Sequence, residues 1–399
     1  MDEPKIRFEK YKEPLTSRLI GDIYTERKES GDETLPILTV SIHSGVSDGA
    51  LDDEDLGKRV QRSEDKTKYK RAEKDDVVFN MMRAWQGAIG VVRTTGMVSP
   101  AYIVAKPDDS VYPLFMDYYL KSPQMIKTIN KLSYGLMDFR KRLYWDSFAS
   151  INCMLPSLEE QKDICELLER IEHVIIHNEN ELKKWIDLKK GMLNKMFPSK
   201  GALIPETRFP GFTEKWKQQK FEDFTWLSGR RNKENLDLEP FAITNEHGFI
   251  PQSEAHNEFG YMKDTDRTAY IIVAPNSFAY NPARINVGSI GYYEGTEKVI
   301  VSSLYEVFQT SGDVYDRFLW HWFKTQVFQS WIERLQEGSV RLYFYYDKLR
   351  ECSIAVPDME EQKAIAEYFD KLDNLISIHK LELDKWKELK KGLLQQLFV

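Results

Sequence analysis

One long stretch of this chain occurs twice, and that internal repeat constrains the fold more than any other feature. Residues 156–197 and 357–398 align without a gap at an offset of 201 residues, and 18 of the 42 aligned positions are identical. Shorter matches at the same offset link Pro4–Phe8 with Pro205–Phe209. Self-similarity of this quality indicates a duplicated architecture. The chain is predicted to be a tandem repeat in the order variable domain, helix, variable domain, helix.

Each copy of the repeat is predicted to be one long helix. Ser157 with Glu160, and Asp358 with Glu361, have capping-box spacing, in which the cap oxygen accepts a backbone N–H and the Glu reaches back. Apolar side chains then recur at alternating steps of four and three residues, as in a coiled coil, and the other copy is the nearest partner. The packing residues of this seam are Ile164, Leu168, Ile171, Ile175, Asn178, Leu182 and Trp185, with Ile365, Phe369, Leu372, Ile376, His379, Leu383 and Trp386.

Four residues interrupt the apolar pattern of these helices. Asn178 and His379 lie in the middle of the seam, where one polar residue commonly fixes register at some cost in stability. Gly191 and Gly392 lie inside the helices although Gly costs about 1 kcal/mol there relative to Ala. Their presence in both copies suggests close backbone approach. The alternative is a pair of unrelated amphipathic helices on separate domains.

The remaining segments are predicted to be α/β (α+β), with more strand than helix. Runs of β-branched and aromatic residues bounded by turn formers predict strands, and they lie at 77–79, 87–92, 270–273 and 299–301. One helix is expected around 113–130 and another around 314–335. Gly135 and Gly338 then open polar loops into the last strand of each domain. The predicted divisions are residues 1–155 (first variable domain), 156–200 (helix and linker), 201–356 (second variable domain) and 357–399 (helix).

Composition and charge exclude several classes of protein. The chain has no run of 18 apolar residues and no apolar core of a signal peptide at its start, so neither a membrane span nor secretion is predicted. Three scattered cysteines argue against a disulfide framework and for a reducing compartment, so a cytoplasmic protein is expected. The formal net charge of −7 is unusual for a protein that binds DNA alone. A nucleic-acid role must therefore rest on local patches or on basic partners.

Motifs of catalysis and cofactor binding are missing from the sequence. It contains no Gly-x-x-x-x-Gly-Lys-Ser/Thr phosphate loop and no cysteine or histidine cluster with zinc spacing. His173 and His177 are four residues apart, but no third ligand lies nearby. No convincing nucleophile–base set is present. A non-catalytic chain without a metal or cofactor of its own is predicted.

The pattern as a whole resembles a known family, the specificity subunits of type I restriction–modification systems. The resemblance is carried by Pro156-x-x-Glu159-Glu160-Gln161 and Pro357-x-x-Glu360-Glu361-Gln362 with their long helices, and by Arg208-Phe209-Pro210-Gly211-Phe212 followed by Trp216. The first half departs from it, because Glu9-Lys10-Tyr11 stands where the second half has Pro210-Gly211-Phe212.

The resemblance implies two target-recognition domains held apart by two long antiparallel helices in a pseudo-two-fold arrangement. It also implies binding to double-stranded DNA, to two modification subunits that methylate adenine, and to motor–nuclease restriction subunits. S-adenosylmethionine, ATP and Mg would belong to those partners. A helix from Ile164 to Met196 is about 50 Å long at about 1.5 Å per residue, and a turn of B-DNA is about 34 Å. Because the two domains differ, the target is expected to be bipartite and asymmetric, with a gap set by the helices.

Residues that both halves share at the Asn-x-x-Arg anchors cannot explain different half-sites. These residues are Asn80 and Arg83, answered by Asn281 and Arg284. They are expected to support the loop or to grip phosphates, which position a protein on DNA without specifying sequence.

Residues that diverge beside these anchors are better candidates for reading bases. Trp85 and Gln86 are predicted readers in the first half and Asn286 in the second, because Asn and Gln suit adenine. Further DNA-binding candidates are basic or polar residues of loops, namely Lys66, Lys68, Lys70, Arg71, Arg140, Lys141, Arg142, Arg230, Arg231, Arg341 and Tyr343. For each of them, an ordinary surface or fold-supporting role is the alternative.

Three other functions remain open for the sequence. The same chain could serve an assembly in which one partner polypeptide carries both modification and cleavage. A two-domain scaffold or regulator could bind proteins only. An autonomous nuclease or methyltransferase is disfavoured by the missing motifs.

Overall fold

The computed structural model describes residues 4–32, 34–42, 45–47, 68–135, 141–245, 248–255 and 267–398. The chain divides into two compact units. Unit 1 comprises Met1–Glu179 with Leu381–Val399, and unit 2 comprises Asn180–Lys380. Each unit combines short antiparallel sheets with helices, which confirms the predicted α/β (α+β) class and the internal repeat.

Unit 1 is built from ten strands and four short helices among its described residues, followed by the start of a long one. The strands are β1 (Thr16–Leu19), β2 (Tyr24–Glu26), β3 (Thr39–Ser41), β4 (Gly45–Ser47), β5 (Lys70–Ala72), β6 (Val77–Asn80), β7 (Ile89–Val91), β8 (Gly96–Val98), β9 (Tyr102–Pro107) and β10 (Asn152–Leu155). The helices are α1 (Ile20–Ile23), α2 (Pro113–Leu120), α3 (Pro123–Leu132), α4 (Trp145–Ala149) and the long α5 (Leu158–Met196). The central sheet has the order β2-β9-β6-β7, and β1 pairs with β10, β5 with β8 and β3 with β4.

Unit 2 repeats this arrangement. Its strands are β11 (Lys217–Lys220), β12 (Thr225–Leu227), β13 (Arg230–Arg231), β14 (Phe241–Thr244), β15 (Gly248–Pro251), β16 (Ile271–Val273), β17 (Ser277–Tyr280), β18 (Ile290–Tyr293), β19 (Val299–Val301), β20 (Glu306–Thr310) and β21 (Ser353–Val356). Its helices are α6 (Phe221–Phe224), α7 (Gln252–Ala255), α8 (Asp316–Trp322), α9 (Gln326–Leu335), α10 (Tyr346–Glu351) and the long α11 (Met359–Gln396). The central sheet β12-β20-β17-β18 matches that of unit 1. β11 pairs with β21, β14 with β15, and β16 lies between β13 and β19 and pairs with both.

The predicted single helices at 113–130 and 314–335 are wrong, because each is a pair of helices with a sharp break. Ser122 precedes α3, and its buried hydroxyl accepts the N–H of Met125 at 3.3 Å. Thr325 precedes α9 and accepts the N–H of Phe328 at 3.3 Å. Side-chain caps of this kind begin a new helix in a new direction. The loops predicted to follow Gly135 and Gly338 also differ, since α4 and α10 precede the last strands.

The two long helices are continuous, as predicted, and each begins at a capped residue. The hydroxyl of Ser157 accepts the N–H of Glu160 at 3.3 Å, and the Asp358 carboxylate accepts that of Glu361 at 2.8 Å. The other half of the predicted capping box is wrong. The Glu160 carboxylate instead takes Nε and Nη2 of Arg7, both at 2.7 Å, and the Glu361 carboxylate takes the same atoms of Arg208.

The next residue of the motif joins each long helix to the rest of its unit. The side-chain oxygen of Gln161 accepts the backbone N–H of Tyr112 at 2.8 Å, just before α2. That of Gln362 accepts the N–H of Tyr315 at 2.7 Å, just before α8. Both glutamines are buried. The repeated Pro-x-x-Glu-Glu-Gln motif is therefore a structural junction between three segments.

Residues of the predicted seam are buried or half-buried throughout. The buried ones are Ile164, Leu168, Ile171, Ile365, Phe369, Leu372 and Leu383, and the half-buried ones are Ile175, Asn178, Leu182, Trp185, Ile376, His379 and Trp386. The first turns of α5 share the unit 1 core with Leu397 and Phe398 at the end of α11. The first turns of α11 share the unit 2 core with Met196 and Phe197 at the end of α5.

Side-chain pairs within each unit show that the two long helices are antiparallel. In unit 1, Lys387 pairs with Glu179 and Lys390 with Glu172. In unit 2, Lys189 pairs with Asp373 and the Trp185 ring stacks on His379 at 6.2 Å. Residue numbers rise along one helix as they fall along the other. The antiparallel pairing implied by the resemblance is confirmed.

Gly191 and Gly392 do not mark a close approach within this chain. A Cβ atom added at either position would meet no heavy atom within 4 Å. The predicted close backbone approach is therefore wrong for the chain itself. The two glycines leave the same open patch on each helix.

Candidate nucleic-acid interface

The Asn-x-x-Arg anchors form the same turn in both units. The side-chain oxygen of Asn80 accepts the N–H of Met82 at 3.0 Å, and that of Asn281 accepts the N–H of Ala283 at 3.0 Å. A short 3-10 helix follows in each unit and ends at a glycine with positive φ, 105° at Gly87. The anchoring asparagines therefore shape the turn, because their oxygens are committed to it.

A second loop in each unit is joined to this turn. In unit 1 it lies between Tyr134 and Arg142, which form a backbone bridge, and Leu143 N–H donates to the Met81 carbonyl at 2.9 Å. In unit 2 the bridge joins Glu337 to Tyr343. The N–H of Phe344 then donates to the carbonyl of Pro282 at 3.0 Å. The fold thus brings together two loops that are about 60 residues apart in each unit.

The paired loops of unit 1 present basic, amide and aromatic groups. Arg83, Gln86 and Arg142 are exposed, and Lys141 is half-buried. Trp85 is half-buried, and its indole N–H donates to the carbonyl of Met82 at 3.0 Å. The polar edge of Trp85 is therefore occupied by the turn. Arg140 lies outside the described residues.

The paired loops of unit 2 present a different set. Arg284, Asn286 and Arg341 are exposed, whereas Tyr343 is half-buried and stacks on Tyr345 with ring centroids 5.5 Å apart. Exposed apolar side chains accompany them, namely Val287, Leu342 and Val340, which is 95% exposed. The two units therefore share the backbone of these loops but present unlike side chains.

Two of the predicted basic residues near β5 are engaged within the fold. The Lys70 ammonium donates to the carbonyl of Tyr102 at 2.8 Å, and burial lowers the pKa of this lysine. Nε of Arg71 donates to the carboxylate of Glu73 at 2.7 Å. Lys68 is exposed, and Lys66 lies outside the described residues. Lys70 and Arg71 thus both have polar partners within the fold.

Arg230 and Arg231 are exposed on β13 and line a cavity instead of joining the loops. Two further sets of residues were missed in the sequence. Arg7 and Arg208, which hold the long helices, carried a signal because they match at the repeat offset. The apolar loop residues Val287 and Val340 carried none, since a single apolar residue in a loop has no pattern.

Metal binding and membrane insertion find no support in the described part of the chain. Histidine, cysteine and acidic side chains of these residues nowhere gather in a group of three that would hold a metal ion. His173 and His177 are both exposed on α5. None of the helices in the described ranges combines the length and the apolar character of a membrane span.

Comparison with known proteins gives one consistent result. Residues 216–387 match the family model "Type I restriction modification DNA specificity domain". The chain is 24% identical over 303 residues to the type I restriction enzyme MjaVIII specificity subunit of Methanocaldococcus jannaschii, covering 71% of this chain and 69% of that protein. It is 22% identical over 308 residues to the putative type I restriction enzyme MjaX specificity subunit of the same organism, covering 72% and 66%.

Solved structures agree over the full length. The S subunit of a type I restriction–modification system from M. genitalium superposes with a TM-score of 0.58 at 12% identity, covering 100% of this chain and 99% of that one. A chain from a study of the assembly and conformational transition of the type I system gives a TM-score of 0.58 at 14% identity, covering 98% and 99%. Similarity at these identities shows a shared fold. The predicted resemblance is confirmed: residues 216–387 match the type I restriction modification DNA specificity domain, and the whole chain has the fold of type I specificity subunits.

Proposed function

We propose that this chain is the DNA sequence-specificity subunit of a type I restriction–modification complex, and that each unit reads one half of a bipartite, asymmetric DNA site. The observation that carries the proposal is the pair of joined loops found in both units. Their backbones are held by equivalent hydrogen bonds, Leu143 to Met81 and Phe344 to Pro282. Their exposed side chains differ, with Gln86 against Val287. Equivalent loop backbones that carry different exposed side chains support two half-sites of different sequence.

The proposed division of labour separates grip from readout. Arg83 and Arg284 are exposed at equivalent positions, so they suit phosphate contacts, which position a protein without specifying sequence. Gln86 and Asn286 are exposed beside them and suit adenine edges in the major groove. Val287 and Val340 suit the methyl group of thymine, a further element of groove recognition.

The long helices are proposed to set the gap between half-sites and to dock two modification subunits. Leu188 and Leu389 occupy the same repeat position and are both exposed, at 42% and 46%. Gly191 and Gly392 follow one turn later on the same face and have open space above them. Two equivalent apolar patches with room for close approach suit two copies of one partner.

Restriction subunits are proposed to join this core, and the adenine methylation and ATP-dependent cleavage would be activities of the partners. S-adenosylmethionine, ATP and Mg would accordingly be bound there. The net charge of −7 supports a reader that depends on basic partners for much of its phosphate contact. Tight binding of the isolated chain to DNA at physiological salt would contradict this part of the proposal.

The experiment that tests the proposal maps methylated adenines across a host genome with and without this gene, its partners being expressed. The expected result is a two-part asymmetric motif that disappears on deletion. Exchange of residues 1–155 should then change one half of the motif and leave the other intact. The absence of any gene-dependent methylation, with partners verified, would favour a protein-binding scaffold.

A further inference from the structure

Unit 2 contains a cavity that is separate from its paired loops. The cavity has a volume of about 860 Å³ and lies beside β13 and β16. Trp226, Leu227, Arg230, Arg231 and Lys298 contribute to its wall. None of the residues in the loops at 281–287 and 337–343 lines it. It therefore requires an explanation of its own.

Arg27 of unit 1 and Ser228 of unit 2 occupy equivalent positions beside this region. The backbone N–H of Arg27 donates to Val104 in β9 at 2.8 Å, and that of Ser228 donates to Val307 in β20 at 3.0 Å. β9 and β20 hold the same place in the two central sheets. The two positions are also 201 residues apart, the offset of the whole repeat.

Asp76 and Ser277 are equivalent in the same way. The residues before them, Asp75 and Asn276, both have positive φ, at 73° and 56°. Both also donate a backbone hydrogen bond of 2.9 Å, to the carbonyls of Val92 and Tyr293 respectively. The backbones of the two units thus match at this turn, and only the side chains differ.

In unit 1 these two positions form an ion pair. Nε and Nη2 of Arg27 donate to the Asp76 carboxylate at 2.7 and 3.1 Å, and Nη1 donates to Glu29 at 2.9 Å. Asp76 is 1% exposed. In unit 2 the same two positions are Ser228 and Ser277, whose buried hydroxyls have no hydrogen-bond partner among the described residues. Two short side chains thus replace an ion pair and leave two unsatisfied polar groups. Ser228 lines the cavity, and Ser277 lies buried outside its lining.

The charged residues around these positions also differ in sign between unit 1 and unit 2. Glu29 and Glu73 of unit 1 correspond at the repeat offset to Arg230 and Ala274 of unit 2. The lining of the cavity has four cations, Arg230, Arg231, Lys233 and Lys298, against one acid, Glu234, for a formal charge of 4 − 1 = +3. None of these four cations forms an ion pair with a described residue. A cationic cavity in a chain of net charge −7 favours an anionic ligand.

The aromatic group in the wall narrows the class of ligand. Trp226 is 47% exposed, and it lines the cavity together with the cations. Stacking of a base on an aromatic side chain contributes about 1–3 kcal/mol, and basic groups beside it hold the phosphate. Ligand pockets of about 300–1,000 Å³ are typical for small molecules. We propose that this cavity binds a nucleotide, with its phosphate on Arg230, Arg231 and Lys298 and its base against Trp226.

The inference does not depend on the proposed function, and the nucleotide could be free or part of an unpaired DNA strand. The test titrates the purified full-length chain with fluorescently labelled dAMP and, separately, with a labelled single-stranded oligonucleotide of twelve adenines. Saturable binding of dAMP would identify a site for free nucleotides. Binding of the oligonucleotide alone would identify a site for a strand. Failure of both probes to bind would overturn the proposal.

Variants locate any binding in the cavity. Trp226→Ala and the double change Arg230→Ala with Arg231→Ala are each expected to weaken binding at least tenfold. Ser228→Arg combined with Ser277→Asp places the ion pair of unit 1 in unit 2. Because Ser228 lines the cavity, the longer side chain should fill part of it and weaken binding. Lys215→Ala removes an exposed cation outside the lining and should change nothing. Equal binding by the wild type and all cavity variants would also overturn the proposal.

The outcome can be separated from that of the proposed function. The filled variant, Ser228→Arg with Ser277→Asp, leaves the loops at 281–287 and 337–343 untouched. Circular dichroism and the urea midpoint would establish that it folds. If the nucleotide proposal fails, the cavity binds neither probe but gene-dependent methylation is still observed. If the proposed function fails, gene-dependent methylation is absent but the chain can still bind the probes.

Discussion

Arg208 and Glu361 are 153 residues apart in the chain and form a pair with two hydrogen bonds, Nε to Oε1 at 2.6 Å and Nη2 to Oε2 at 2.7 Å. Arg7 and Glu160 repeat the pair in unit 1 with the same separation in sequence. The hydrogen bonds to Glu361 raise the pKa of the Arg208 guanidinium above its ordinary value. The Glu361 side chain is 0% exposed, and the Arg208 guanidinium is its ion-pair partner.

Replacement of Arg208 should therefore destabilise unit 2 strongly. Arg208→Ala leaves a buried carboxylate without its partner, and losses of about 3–5 kcal/mol are typical of such changes. Urea denaturation of the full chain measures the effect. The free energy of unfolding of Arg208→Lys should lie between those of the wild type and Arg208→Ala, since an ammonium group keeps the charge but cannot make the two-bond contact. Adding Glu361→Gln to Arg208→Ala should recover part of the loss, and no recovery would show that packing of the arginine matters more than its charge.

Replacement of the two helix glycines is expected to raise the stability of the chain. Gly191→Ala and Gly392→Ala should each stabilise the isolated chain by about 1 kcal/mol, because Ala is the better helix former and the added methyl group meets nothing within 4 Å. Thermal or urea unfolding would measure the gain. A loss of stability would contradict the open space found at both positions. If partners approach the helices there, the same changes should weaken assembly with the modification subunits although the chain itself is more stable.

The buried His321 is expected to make unit 2 less stable at acid pH. The side chain is fully buried, its Nε2 lies 2.7 Å from the Asp370 carboxylate, and burial lowers its pKa to about 4. The unfolded chain takes up a proton on this histidine near pH 6.5, whereas the folded chain takes it up only near pH 4. The contribution of the neutral His321 to stability is therefore fully present above about pH 6.5. It is lost as the pH falls toward 4, by up to about 3 kcal/mol at about 1.4 kcal/mol per pKa unit.

The measurement compares urea unfolding of the wild type with that of His321→Gln at pH 7 and pH 4.5. Asp370 stays ionised across this window: burial raises its pKa, but the hydrogen bonds from His321 and Arg317 outweigh it and hold the pKa at about 2. His321→Gln should lose less stability than the wild type as the pH falls. His173→Gln, at an exposed histidine of α5, is the matched control and should behave as the wild type. Identical pH profiles for all three proteins would rule out His321 as the responsible group.

The proposed separation of grip and readout predicts two kinds of loop variant. Arg83→Ala should weaken binding of the assembled complex to all sequences alike and reduce its salt dependence, as expected for one lost phosphate contact. Its counterpart Arg284→Ala should do the same from the other unit. Binding titrations at two salt concentrations, with specific and unrelated duplexes, measure both effects. A change of base preference in either variant would mean that the arginines read bases.

Exchange of the diverging loop residues tests readout directly. Trp85→Asn with Gln86→Val transplants the side chains of unit 2 into the loop of unit 1. Methylation mapping should then show a change confined to one half of the motif, since the other loop pair is untouched. A change in both halves, or in neither, would contradict independent reading by the two units.

How much of this could be foreseen depends on how far apart the interacting residues lie. The long helices were predictable because a seven-residue apolar pattern is local, and the repeat at a constant offset needs no structure. The breaks at Ser122 and Thr325 were missed because one capping side chain outweighs a continuous helical pattern. The joined loops were only half foreseen, since the sequence indicated both loops but not the hydrogen bond from Leu143 to Met81.

By itself the sequence determined the duplication and the two long helices with their apolar seams, and it carried the resemblance to a known family. The duplication and the seams rest on identity between two segments or on spacing within a segment, and both are visible in one dimension. Only the tertiary structure decided that Lys70 and Arg71 are engaged, that Gly191 and Gly392 face open space, and that unit 2 has a cavity lined by cations beside Ser228. The physical reason is that the free energy of a charge or a small side chain depends on what surrounds it. Those surroundings come from segments tens of residues away in the chain.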